Sequence, residues 1–160
     1  MGVLTTAYSV PPEMMKKIKA DHEKLGFVFG VEEGGGKAWE CETFEFDKGF
    51  EERIGILGEN GYPKTREALD LESADEDDPS YDGYDVRVVS PATLKKLAKE
   101  LSSATFAELK KKGLANGTTD YYGKTIPAEA YSYYVGDIED MKAFFAKAAT
   151  AGHWLVIAAA

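Results

Sequence analysis

Asp85 and Arg87 are the residues whose type and spacing first suggest chemistry. They stand two apart in Tyr84-Asp85-Val86-Arg87-Val88-Val89-Ser90-Pro91, where Tyr84, Val86 and Val88 alternate with them as in a β-strand. Alternation puts the carboxylate and the guanidinium on one face, just ahead of the helix start that Ser90-Pro91 signals. A same-face pair beside a helix N-terminus can position a ligand, or it can be a structural salt bridge. The second group is aromatic: Tyr121, Tyr122, Tyr131, Tyr133 and Tyr134. Tyrosine offers contact area at low entropy cost, which suits a binding surface, and it serves as readily at a core edge. The candidate binding residues are therefore Asp85, Arg87, Tyr121, Tyr122, Tyr131 and Tyr134. No residue reads as catalytic.

Other chemistries fail on spacing. Asp78, Ser80, Asp82 and Gly83 match the opening of an EF-hand calcium loop, but its bidentate Glu would fall at Val89, and no flanking helix is expected. His22 and His153 lack any Cys or His at ligand spacing, so no metal site is predicted. Gly34-Gly35-Gly36-Lys37 lacks the first Gly and the Ser or Thr of a phosphate loop, since those positions are Val31 and Ala38. No Gly-x-Ser-x-Gly elbow is present, and Cys41 has no sequence sign of a partnering base. No cofactor is predicted.

Composition narrows the partners. At 160 residues and 44% hydrophobic, the chain fits one globular domain. A formal charge of −9 argues against nucleic acid or an anionic membrane surface, and favours a basic protein or cationic ligand. A single Cys fits a reducing, cytoplasmic setting. No apolar run approaches membrane-spanning length. Gly2-Val3-Leu4-Thr5-Thr6 satisfies the loose myristoylation pattern, yet reads better as a first strand. The sequence leaves the oligomeric state open.

The elements that must position these residues follow from periodicity. Strands are expected over Val3–Ala7, Tyr84–Val89 and Trp154–Ala159, the last apolar enough to be internal. Trp39, Cys41, Phe44 and Phe46 predict another, with a bulge near Glu42. A helix opening at Pro11-Pro12 should carry Met14, Ile18 and Leu25 and close at Gly26. Asp47 is the expected cap of a helix buried through Phe50, Ile54 and Leu57. Ser90, Ser103 and Asp137 should cap further helices, the first striped by Leu94, Leu97 and Leu101 and the last by Ile138, Met141, Phe144 and Phe145. Leu155 and Ile157 complete the expected core. Glu72 to Asp82 holds like charges and is expected to be an exposed loop. Strands and helices do not alternate regularly. The fold class is α+β, with a mixed or mainly antiparallel sheet packed by several amphipathic helices.

The ordered motifs resemble the YfbM-like family, a bacterial domain of unknown function, across residues 1–160 as a single domain. They are Met1-Gly2-Val3, Asp47-Lys48-Gly49-Phe50 leading to Leu57-Gly58, Arg87-Val88-Val89-Ser90-Pro91, and the stretch from Met141 to Ala160. Phe50 replaces the family's Trp, and the His and the Thr of that family's helix are missing here. The family has no agreed catalytic residues, so the resemblance implies none. The function read from the residues is a non-catalytic acidic interaction module of inhibitor or immunity type. The alternative is a small-molecule site or enzyme near Asp85, Arg87 and the tyrosines.

Overall fold

In the computed structural model, residues 4–30, 37–47, 49–74 and 78–160 are described. Gly2 with its lipidation pattern, Val3, the glycine run at 34–36, Lys48 and the acidic residues 75–77 lie outside the described residues. Four strands form one antiparallel sheet: β1 (Thr5–Val10), β2 (Glu42–Asp47), β3 (Asp85–Val89) and β4 (Trp154–Ala159). Their order is β2-β1-β4-β3. Every residue of β4 after Trp154 is buried, as expected for an inner strand.

Helices cover both faces. Ala7, Phe46, Val89, Leu155 and Ile157 face a large cluster built by α3 (Phe50–Glu59), α4 (Pro63–Leu69), α5 (Pro91–Leu101), α6 (Phe106–Asn116), α7 (Tyr131–Val135) and α8 (Ile138–Thr150). Val10, Val86, Val156 and Ala158 face a smaller cluster with α1 (Pro12–Ala20) and α2 (Leu25–Val28). The sheet is thus the middle layer between two apolar clusters. Leu94, Leu97, Leu101, Phe145, Leu155 and Ile157 are buried, while Phe144 is half-buried against Phe44.

Local boundaries depart from expectation where tertiary contacts intervene. The register shift lies between Thr5 and Thr6, which pair with Asp47 and Glu45, so Phe46 is the bulged residue rather than one near Glu42. Asp47 does not cap α3. It ends β2 at φ 57°, and Gly49 takes the cap position. Trp39 and Cys41 are not in a strand, because the Trp39 N–H donates to Phe27 O at 2.8 Å and its ring stacks on Phe27. Gly26 does not close the first helix, which ends at Ala20. It lies inside α2, where a Cβ would meet Tyr81 Oη at 2.8 Å. Thr105, not Ser103, caps α6 by accepting from the Glu108 N–H at 3.2 Å. Ser90 does cap α5, accepting from the Thr93 N–H at 3.3 Å.

Candidate functional site

The first turn of α3 carries Glu51 and Glu52, next to the buried Phe50. Phe50, Ile54 and Leu57 hold that helix in the core, so Glu51 and Glu52, which lie between Phe50 and Ile54, project at its rim. The 3-10 turn Leu71–Ser73 brings Glu72 beside them, and Asp85 arrives as the first residue of β3. Opposite stands the loop Thr118–Ile126. It is closed by a Thr119–Thr125 bridge and by the Ile126 N–H donating to Thr118 O at 3.0 Å. Asp120 Oδ1 accepts from both the Tyr122 and Lys124 N–H groups at 2.9 Å, while Gly123 takes φ 80° to complete the turn. Ile126 and Thr118, both buried, anchor the base. This hydrogen-bonded loop presents Tyr121 at 69% and Tyr122 at 83% exposure, rings edge to face at 5.4 Å.

Together these residues wall a cleft of about 540 Å³ lined by Phe50, Glu51, Glu52, Glu72, Asp85 and the two tyrosines, with Thr5 and Ala159 at the strand ends. None of the four carboxylates is in an ion pair among the described residues. Burial pushes the Glu51 carboxyl above its ordinary value. The charges of Asp70, Glu72 and Glu52 push it further, against a smaller pull from Arg66. The cleft is therefore an acidic site with aromatic walls, whose carboxylates are outside any ion pair among the described residues. Both features attract a cation, the carboxylates by charge and the rings by their quadrupole.

The six candidate residues separate. Asp85, Tyr121 and Tyr122 share this cleft. Tyr134 stands behind it. Its phenol is raised by burial first and then by Glu52, Asp120 and Tyr133, and its ring fills the space a Cβ at Gly49 would need. Tyr131 is fully buried, its ring set against Gly113, where a Cβ would lie 2.3 Å from its hydroxyl. Arg87 makes no ion pair with Asp85. Its Nε donates to Ala68 O at 2.7 Å and its Nη1 to Ser73 O, and it opens onto two other clefts. Sharing a strand face did not make them partners, because carbonyls from α4 and the turn after it took the guanidinium first.

Residues the sequence reading passed over also matter. Arg53 is 2% exposed, its guanidinium paired through both terminal nitrogens with Asp137 and flanked by the rings of Phe44 and Phe46 at 5.6 Å. Asp137 stands at the cap position of α8 but makes no capping bond, since its carboxylate serves Arg53. The signal was present: Arg53 follows Phe50 by three, on the buried stripe of α3. Glu51 and Glu52 were hidden among 28 acidic residues. His153 Nδ1 lies 2.8 Å from Ser9 Oγ, in a small cavity that Cys41 also lines. Burial raises the Cys41 thiol, which lowers its thiolate content and its reactivity. His22 Nδ1 accepts weakly from the Ser80 N–H at 3.5 Å. Among the described residues no group of three or more His, Cys, Asp or Glu side chains is placed to hold a metal ion, and no helix is long and apolar enough to cross a membrane.

Comparison with known proteins sets this geometry in a family. The model of a domain of unknown function (DUF1877) matches residues 1–158. Among solved structures, the fold is similar to the crystal structure of YfbM from Escherichia coli, a protein of unknown function. That match has a TM-score of 0.62 and 13% identity, and covers 98% of this chain and 99% of that one. No curated protein matches.

Proposed function

We propose that this chain, which belongs to the DUF1877 family, is a non-catalytic binding module that receives the cationic side chains of a basic protein in its acidic, tyrosine-walled cleft. The observation that carries the reading is the convergence of Glu51, Glu52, Glu72 and Asp85, none of them in an ion pair among the described residues. Crowded carboxylates raise one another's proton affinity, and a bound ammonium or guanidinium relieves that repulsion. Tyr121 and Tyr122 supply exposed aromatic anchors, and the net charge of −9 speeds encounter with a basic surface. An inhibitor or immunity role toward such a partner, in the reducing cytoplasm, is the form this reading takes. The supporting chemistry is charge and aromatic contact.

The test couples recovery of partners from the native host with titration of an oligolysine peptide. A basic protein should be recovered at low salt and lost at high salt, because exposed charges are screened beyond about 8 Å at physiological ionic strength. Tyr121→Ala with Tyr122→Ala should abolish both recovery and peptide binding. Catalytic turnover that Asp85→Ala abolishes, with no peptide binding by the wild type, would establish the second reading instead. That reading, a small-molecule site or enzyme, draws on the cleft volume and on the raised Glu51 carboxyl.

A further inference from the structure

A second cleft, about 830 Å³, lies between α4 and α5 and shares no lining residue with the acidic site. Its charge runs against that of the chain. Lys64, Arg87, Lys96 and Lys99 line it, against Glu67 and Glu100. Glu100 is already engaged: its carboxylate accepts from the Lys64 N–H at 3.2 Å and from the Thr65 N–H and hydroxyl at 2.8 and 2.7 Å. None of the three lysines forms an ion pair among the described residues, and neither does Arg87. Thr93 and Lys96 stand three apart on α5, so the helix turns both toward the groove.

Arg87 is the fixed point. It is half-buried on β3 and is held by Ala68 O and Ser73 O through Nε and Nη1. Two carbonyls orient the guanidinium without neutralising it, and among the described residues Nη2 carries no hydrogen bond. Arg87, Ala68 and Thr93 also line an adjoining cleft of about 600 Å³. That cleft adds His22 and Lys19, whose ammonium sits 3.9 Å over the Trp154 ring, with Asp78 at its edge. A pre-oriented arginine between two lysine stations is suited to a ligand with more than one anionic group. The planar fork matches phosphate oxygens, and the lysines add point charges.

We propose that this groove is a binding site for a small organic phosphate, with Arg87 at its centre and Lys64, Lys96 and Lys99 as its outer cations. The volume lies within the range of small-ligand sites. A net charge of −9 disfavours an extended polyanion such as nucleic acid, while a compact anion meets only the local cations.

The experiment is calorimetric titration of the full chain with inorganic tripolyphosphate, a nucleoside triphosphate, the unphosphorylated nucleoside and citrate. Saturable, salt-sensitive binding of both phosphates is expected, with none of the nucleoside. Arg87→Gln loses two carbonyl contacts and can fail to fold, so the deciding variant is Lys64→Gln with Lys96→Gln, both exposed. Affinity should fall in it by about tenfold or more, the loss expected for charge-assisted hydrogen bonds. Glu129→Gln, an exposed carboxylate outside these clefts, should leave affinity unchanged. No saturable phosphate binding at millimolar concentration, equal binding by the lysine variant, or equal binding of citrate would each overturn the proposal.

Discussion

Removing the carboxylate of Asp137 should destabilise the protein more than its position at a helix end suggests. In wild type, Arg53 is 2% exposed and the Asp137 side chain 38%, so one end of the pair is dry and the other wet. Taking one partner from a fully buried pair costs about 3–5 kcal/mol, whereas a surface pair is worth about 0–1 kcal/mol. Arg53 cannot follow its lost partner to water, and among the described residues only Phe46 O, at 3.4 Å from Nη2, and Met141 Sδ, at 4.0 Å from Nη1, remain to it. Water entering where the carboxylate stood recovers part of the loss. Asp137→Ala should therefore cost about 2–3 kcal/mol, between those limits. Urea unfolding should show a lower midpoint at an unchanged slope. For a chain of this size the melting temperature should fall by about 4–12 °C. Adding Arg53→Met should restore stability relative to Asp137→Ala alone, because the orphaned charge is gone and an apolar chain fills its place. A single-variant loss under about 0.5 kcal/mol, or a double variant no better than the single, would refute the buried-charge argument.

Glu51 predicts a pH effect. Its folded carboxyl titrates above the unfolded value of 4.5, so across that window the folded state holds more protons. Its contribution to stability is thus favourable to folding at low pH and fades as pH rises through the folded value. Glu51→Gln should be more stable than wild type near neutrality, and the gap should close as pH falls in matched urea titrations. Gly113→Ala should destabilise by about 1–3 kcal/mol despite alanine's better helix propensity, because the buried Tyr131 has nowhere to move; an unchanged unfolding midpoint would refute that packing. Leu97→Ala and Leu155→Ala should each cost about 2–5 kcal/mol by the same assay, since both are buried.

The sequence by itself determined the parts of this protein that are governed by local rules. The Ser90-Pro91 start, the Leu94, Leu97 and Leu101 stripe and the wholly apolar β4 were legible because cap chemistry, helical period and burial on both faces leave direct marks in residue order. Boundaries failed where a distant partner outbid the local preference. Trp39 left the strand pattern for Phe27, and Asp137 gave up its cap for Arg53. The family was likewise carried by the order of short motifs, and the match over residues 1–158 agrees with it. The sites were decided by tertiary structure alone. Asp85 and Arg87 share a strand face in any reading, yet α4 claims the arginine and the Thr118–Ile126 loop comes to stand opposite the aspartate. Likewise, Glu51 and Glu72 meet only when α3 and the turn after α4 pack together, and Lys64 faces Lys96 only across two helices. Helix and strand periods fix the face on which a side chain emerges. Which charges converge across a cleft depends on loop closure over tens of residues, and no local spacing encodes that.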